Sequence, residues 1–355
     1  MVSGTITWLY SPLSSLIMTA VSTPPTPLVS VTDRGLYCPP GGFYIDPWKP
    51  VQTAVITHGH GDHLRGGSAR YIVARPGEAI ARVRLGQESS GLTPVDYGRE
   101  MTLGAVKVSL HPAGHILGSA QVRLEHEGQV WVVSGDYKRQ PDPTCAPLEP
   151  LACDVFISEA TFALPIYCWP DTQAVVAEIV RWWRENRERG MASVLFCYAL
   201  GKAQRVLAEL CAFTSDPVYL HGAVGTLVET YRHAGIAMVP TLSATTDRKT
   251  DYRGALIIAP PSAAGSSWMR RFGEHSSGFC SGWMRVRGDR RRRGYDRGFV
   301  LSDHADWPGL IRTCRETGAR RVLLTHGYSD AMTRYLREQG CDAGALATDY
   351  GGEDA

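Results

Sequence analysis

The sequence predicts an α/β protein whose functional groups converge at one edge of a β-sheet. Three observations support this. Short apolar runs rich in β-branched residues end in His, Asp or Glu, and strand-like and helix-like runs alternate in the middle of the chain. The third is His58-Gly59-His60-Gly61-Asp62-His63, which packs three imidazoles and a carboxylate into six residues. Imidazole nitrogen and carboxylate oxygen are the donors zinc accepts in catalytic sites, where three protein ligands and a water suffice. Four donors in one turn therefore suggest two adjacent metals; a solvated histidine-rich turn is the plainer alternative. Gly59 and Gly61 are read as bends that let the side chains converge.

Residues 1–32 carry no charged side chain, and Ser11-Pro12 and Ser14-Ser15 interrupt a mildly apolar stretch from Ile6 to Ala20. Residues 1–27 are expected to be a disordered leader rather than a secretory signal, with Met18 an alternative start. Residues 28–165 alternate short strands with Gly/Pro turns. The run 53–57 leads to His58, 112–114 delivers His115, 130–135 ends at Asp136, and 154–158 ends at Glu159. Asp171 suits the N-cap of a helix reaching about Arg189, with Val175, Val176, Ile179, Trp182 and Trp183 as its apolar stripe. Gly190 ends that helix, 193–197 reads as a strand and 202–212 as a second helix, so 166–297 is expected to be a parallel α/β unit. Residues 298–355 should return to the first domain with two strands, 298–302 before Asp303-His304 and 321–325 before His326. Each is followed by a helix, at 307–317 and 329–339. Six of the eleven histidines (58, 60, 63, 115, 304 and 326) fall at strand ends.

At 355 residues and 44% hydrophobic, the chain can bury a large core divided between two domains. A net charge of +2 confines any nucleic-acid surface to a local patch. Nine cysteines without a Cys-x-x-Cys pair argue against a disulfide framework or a thiolate zinc site, and for reduced thiols in a cytoplasm. There is no run of ~20 apolar residues to span a membrane.

In this order the motifs resemble the metallo-β-lactamase fold and, within it, the β-CASP nucleases, over nearly the whole chain from about Leu36. Asp46 is similar to the first motif, a carboxylate behind the metal loop. His58, His60, Asp62 and His63 match the second, His115 the third and Asp136 the fourth. Glu159, His304 and His326 are similar to the three β-CASP motifs, and residues 198–205 to a helix-opening signature of the insert. The wording around Asp46-Pro47-Trp48 and Ser302-Asp303-His304-Ala305-Asp306-Trp307 most resembles bacterial exonucleases associated with an ATP-dependent DNA ligase.

The resemblance implies an αββα sandwich carrying an inserted α/β cap. It implies two Zn2+, or Mn2+, with His58, His60 and His115 on one ion, Asp62, His63 and His326 on the other, and Asp136 bridging. Such a pair activates water for attack on a phosphodiester. Asp62, His304 and Glu159 are the expected catalytic residues: His304 as general acid, since imidazole titrates near operating pH, and Glu159 as the carboxylate that orients it. The implied partners are nucleic acid, DNA before RNA, with a DNA ligase and a helicase alongside.

Other features fit a polyanionic substrate less firmly. Arg285, Arg287, Arg290, Arg291, Arg292, Arg293 and Arg297 form a basic run near Trp283 and Tyr295, read either as a backbone contact or as a solvated loop. Lys202 and Arg205, opening a helix, could hold a phosphate or face solvent. Ser119, Tyr137, Lys138 and His221 are weaker candidates. An RNA-processing nuclease and a non-catalytic scaffold remain the alternatives; a scaffold would have lost ligands, and this chain keeps them all.

Overall fold

The computed structural model describes residues 27–244, 250–286 and 294–348. Residues 1–26 of the expected leader, Met18 included, and Arg287 and Arg290 to Arg293 lie outside the described residues.

The chain begins with six strands that follow one another across a single sheet: β1 (Ser30–Thr32), β2 (Gly35–Cys38), β3 (Phe43–Ile45), β4 (Thr53–Val55), β5 (Arg70–Ala74) and β6 (Leu92–Val95). The first three pair antiparallel and the rest parallel, with helix α1 (Glu78–Leu85) as the crossover into β6. A second sheet starts with β7 (Met101–Leu103), β8 (Val106–Pro112), β9 (Ala120–His126) and β10 (Gln129–Val133), an antiparallel meander. The next strand, β11 (Val155–Ala160), lies parallel to β10 with Val133 beside Ile157.

From β11 the chain leaves for a third sheet. Asp171 caps helix α2 (Thr172–Glu188) by accepting from the Ala174 amide, and Val175, Val176, Ile179, Trp182 and Trp183 are buried along it, as the sequence stripe requires. Then come β12 (Ala192–Phe196), α3 (Lys202–Glu209), β13 (Val218–Leu220), α4 (Gly222–His233), β14 (Thr241–Ser243), β15 (Leu256–Ala259), β16 (His275–Cys280) and β17 (Arg297–Phe299). Every pair in this sheet is parallel. One face packs on α2, α3 and α4 through Leu195, Leu256 and Ile258; the other packs on Met269, Phe272 and Met284.

One expected element is corrected here. The apolar run 298–302 is not a strand of the first domain: Arg297–Phe299 pairs with β16, Gly298 beside Phe279, and Phe299 packs against Trp182 with ring centroids 5.4 Å apart. An apolar run looks the same whichever sheet it joins. Residues 300–306 cross back without strand structure, and α5 (Trp307–Glu316), β18 (Arg321–Gly327), α6 (Ser329–Glu338) and β19 (Asp342–Ala345) complete the second sheet, β18 lying parallel to β11.

The first two sheets press face to face through Leu36, Ile45, Val55 and Ile72 on one side and Val108, Leu124, Trp131 and Ile157 on the other. Helix α1 covers the outer face of the first sheet through Ala81 and Leu85. Helices α5 and α6 cover the outer face of the second through Leu310, Met332 and Leu336. Helix, sheet, sheet, helix is the sandwich that the motif resemblance implies, with the unit from α2 to β17 inserted between β11 and α5. The mixed α/β fold is that of a metallo-β-lactamase sandwich bearing a β-CASP cap.

Candidate metal centre

The expected ligands arrive on the loops after β4, β8 and β10 and at the end of β18. Asp46, just past β3, is one of two non-glycine residues with positive φ among those described, at 43°, a conformation that costs energy and recurs at functional sites. From there its carboxylate accepts from the Thr57 amide at 2.7 Å, the Thr57 hydroxyl at 2.5 Å and His63 Nδ1 at 2.7 Å. Gly135, at φ 56°, brings Asp136 past Thr57; a Cβ there would lie 2.6 Å from the Thr57 Cβ. Gly59 has no positive φ. It is small because the Ile80 side chain of α1 would lie 2.6 Å from its Cβ, so close packing, not backbone bending, explains that residue.

Asp136 is the hub. Its Oδ2 lies 3.5 Å from His58 Nε2, 3.5 Å from His63 Nε2 and 3.8 Å from His115 Nε2, while Oδ1 lies 3.4 Å from His326 Nε2. His58, His60, His115 and Asp136 converge closely enough to hold one metal ion, and Asp136, Glu159 and His326 form a second such group. Asp62 and His63 stand beside these groups, with Asp62 Oδ2 3.7 Å from His63 Nε2 and the Asp62 side chain 27% exposed.

Hydrogen bonding already commits one nitrogen of each inner ring. Thr57 Oγ1 donates to Asp46, so at 3.0 Å it accepts from His58 Nδ1. His60 Nε2 donates to the Leu200 carbonyl at 3.2 Å and His115 Nδ1 to the Asp303 carbonyl at 2.8 Å. The opposite nitrogens are then lone pairs facing inward. His115 Nε2 and His60 Nδ1 are only 3.1 Å apart, and His58 Nε2 is buried without a hydrogen-bond partner among the described residues. Opposed lone pairs repel and a buried orphan acceptor is costly. A cation among them turns both into ligation, so the residues fit a metal.

Electrostatics follow the same layout. Burial, reinforced by the His63 ring, pushes His58 well below the usual imidazole range; burial and the His304 ring do the same to His115. Burial also opposes charge on His63, but Asp136 and Asp46 outweigh it and raise that ring to about 10. Burial opposes ionisation of Asp136 too, yet His63 and His326 hold the carboxyl well below the carboxylate range.

Glu159 sits where the β11–β18 register shifts, which turns its side chain toward the site. Its Oε2 accepts from His304 Nδ1 at 2.8 Å and Thr161 Oγ1 at 2.6 Å, and its Oε1 accepts from the Tyr137 amide at 2.6 Å. The His304 ring lies 4.7 Å from the His115 ring, centroid to centroid.

Lys202 and Arg205, expected to hold phosphate, are corrected. Both are fully buried. Lys202 Nζ lies 3.0 Å from Asp303, and Arg205 donates to the Ser302 carbonyl at 2.6 Å and Thr172 Oγ1 at 2.9 Å, with Asp142 at 3.5 Å and Asp303 at 3.6 Å. They tie α3 of the inserted unit to the loops behind His115 and His304 and cannot reach a nucleic-acid backbone. Lys138 is likewise buried on Asp142, and Tyr137 is buried against Ser158. Ser119 Oγ accepts from the His115 amide at 3.0 Å, and His221 caps α4. Trp283 and Tyr295 pack internally on Phe162 and Phe279.

A cleft of about 430 Å³ opens over the centre, lined by Asp62, Asp136, His304 and His326 and also by Arg65, Arg84, Thr161 and Tyr198. Tyr198 opens the 198–205 signature; Arg65, Arg84 and Thr161, with Thr57, were not found by sequence reasoning. Thr57 and Thr161 adjoin motif residues and could have been; Arg84 is one of several helix-surface arginines and has no local signal.

No family model matches the chain. It is 33% identical over 322 residues to a probable DNA ligase of Opitutus terrae, covering 89% of the chain and 31% of that protein. It is 27% identical over 209 residues to endoribonuclease YSH1 of Gibberella zeae, 47% of the chain and 24% of the relative. It is 30% identical over 127 residues to an RNase J-like protein of Methanocaldococcus jannaschii, 34% of the chain and 30% of the relative. The chain thus spans under a third of the length of each of these curated relatives. Together with the fold they indicate a nuclease family of the metallo-β-lactamase and β-CASP class. No helix among the described residues is long and apolar enough to cross a membrane.

Proposed function

We propose that the protein is a metal-dependent phosphodiester hydrolase acting on nucleic acid, a DNA exonuclease that works beside a DNA ligase in repair, with a helicase as a further partner. The supporting observation is Asp136, one carboxylate whose two oxygens face His58, His63 and His115 on one side and His326 on the other at 3.4–3.8 Å. On this reading His58, His60 and His115 would hold one Zn2+ or Mn2+ and Asp62, His63 and His326 the other, with Asp136 shared between them. When bound, two such ions supply Lewis acidity, acidifying water and offsetting phosphate charge.

The chain's own groups do the rest. Asp46 fixes His63 through Nδ1 and the Asp303 carbonyl fixes His115 through Nδ1, so the ligating nitrogens are aimed in advance. Glu159 holds the proton of His304 Nδ1, leaving Nε2 to give a proton to the departing sugar oxygen. The cap residues Tyr198 and Leu200 line the cleft and would contact a bound chain.

The ligase relation rests on the Opitutus terrae relative, aligned over 89% of this chain. A second reading, an RNA-processing nuclease, is favoured by the relatives named as an endoribonuclease and an RNase J-like protein. Incubation of the metal-loaded protein with end-labelled DNA and RNA of matched sequence separates the two. The DNA reading expects single-nucleotide ladders from DNA, and faster turnover of RNA overturns it. No cleavage of either polymer would sink both.

A further inference from the structure

His60 and His115, two of the three imidazoles grouped with Asp136 in the first ligand set, are backed by a single turn of the inserted unit. The turn is Leu200-Gly201-Lys202, where the chain enters α3. His60 Nε2 donates to the Leu200 carbonyl at 3.2 Å. His115 Nδ1 donates to the Asp303 carbonyl at 2.8 Å, and the carboxylate of that same residue is held by Lys202 Nζ at 3.0 Å. The sandwich supplies the other supports: Thr57 backs His58 in this set, and Asp46 holds His63 beside it.

The turn is built for this close approach. Gly201 has φ 87°, and a Cβ there would lie 2.4 Å from Ile116 Cγ2 and 3.5 Å from Asp303 Oδ2, so a side chain is excluded. Gln204, fully buried, braces the turn: its Oε1 accepts from the Gly201 amide at 2.7 Å and its Nε2 donates to the Ala199 carbonyl at 2.9 Å. The segment it faces, 302–305, has no strand pairing and is held group by group. Arg205 takes the Ser302 carbonyl, Trp169 Nε1 the His304 carbonyl at 2.9 Å, and the Ala305 amide donates to the Tyr137 carbonyl at 2.6 Å. At Asp303 the anchor is the ion pair with Lys202, both side chains being buried. Without Lys202 the carboxylate keeps Arg205 alone, at 3.6 Å. An undercompensated buried charge shifts toward other partners, and the carbonyl that aims His115 shifts with it.

We propose that the Leu200–Lys202 turn is a positioning element for one of the two ions only: Lys202, acting through Asp303, and the Leu200 carbonyl set the His115 and His60 rings, so that seating of the inserted unit and metal occupancy of the His58–His60–His115 set are linked. This rests on the two-ion reading above. A partner on the outer nitrogen fixes a ligating imidazole's tautomer and direction, and linkage between two events is reciprocal, so the ion in turn holds the turn in place.

The test uses the full chain as wild type, Lys202→Met, and Lys202→Met with Asp303→Asn, which removes the charge that the first change strands. Two readouts are needed: Zn2+ affinity by competition with a chelating dye, and hydrogen exchange of the 200–209 segment with and without Zn2+. Lys202→Met should weaken one of the two binding steps by about 10–100-fold, the effect of losing a support behind a ligand, and leave the other unchanged. In a His60→Ala background, where that ligand set is already broken, Lys202→Met should add nothing; in a His326→Ala background it should act in full. Saturating Zn2+ should slow exchange of the segment in wild type, and less so in Lys202→Met. The double variant should stay weakened, since its charge is balanced but its anchor is gone, and it carries the same comparison should Lys202→Met fail to fold. Recovery of wild-type affinity in the double variant would mean that a stranded charge, not positioning, caused the loss, and overturns the proposal. Equal weakening of both steps, or exchange of 200–209 indifferent to Zn2+, overturns it as well. A wild-type protein that binds no ion overturns the metal-centre reading instead.

Discussion

Replacing Arg205 with Met tests whether the buried charges behind the metal centre are structural. Arg205 is fully buried among Asp142, Asp303 and Glu209, with Lys138 and Lys202 as the other cations of the group. Methionine fills much of the space but removes the donors to the Ser302 carbonyl and Thr172. Three acidic groups then face two lysines in a site closed to water. Breaking a buried charged group by deleting one partner costs about 3–5 kcal/mol, because the remaining charge stays desolvated. At roughly 2–4 °C per kcal/mol the midpoint of thermal unfolding should fall by about 6–20 °C, the lower end being apt for a chain this long. The assay is thermal unfolding followed by circular dichroism, with oligonucleotide binding measured on the same sample below the transition. A midpoint within about 2 °C of wild type, a shift smaller than 1 kcal/mol of destabilisation gives, would refute the reasoning if nucleic-acid affinity fell as well. That result would return Arg205 to the role of phosphate contact.

The acid limb of stability should depend on Asp142. Burial raises its carboxyl, but Lys138 and Arg205 outweigh burial and hold it below the usual range. Its contribution is therefore complete above the unfolded value of ~3.9 and lost as pH falls through the lower folded value. Urea unfolding of wild type and Asp142→Asn from pH 7 to 3 should show the difference between them shrinking below about pH 4; a constant difference would contradict this. Asp136→Ala should leave one metal ion or none by elemental analysis after reconstitution, since neither group closes without the shared carboxylate; two ions retained would count against bridging. His304→Ala should keep its metal and slow oligonucleotide cleavage by roughly 10²–10⁴-fold, with a much smaller loss on bis(4-nitrophenyl) phosphate, whose leaving group departs without a proton. Equal losses on the two would make His304 a strut. Asp46→Ala should loosen His63 and lower metal affinity by about 10–100-fold, read by competition with a chelating dye.

The α/β class, the Asp171-capped helix and the polar groups at the strand ends are legible in the residues themselves, because caps, periodicity and strand-end chemistry are local signals. The sandwich and its insert followed from the resemblance of the ordered motifs to a known family. What the polar groups face is set by contacts between segments far apart in the chain. Lys202 and Arg205 read as a phosphate contact or an exposed helix face because a helix start shows its charges but not what covers them. The cover is Asp303, nearly a hundred residues on, together with Asp142 from the other domain. The run at 298–302 names a strand but not its sheet, since pairing is set by neighbours distant in sequence. The lone pairs of His60 and His115, 55 residues apart, oppose each other only because the Leu200 and Asp303 carbonyls take the outer protons. Arg84 is a helix-surface arginine in sequence and a wall of the cleft in space, because Ile80, one turn before it, is locked beneath the inserted unit.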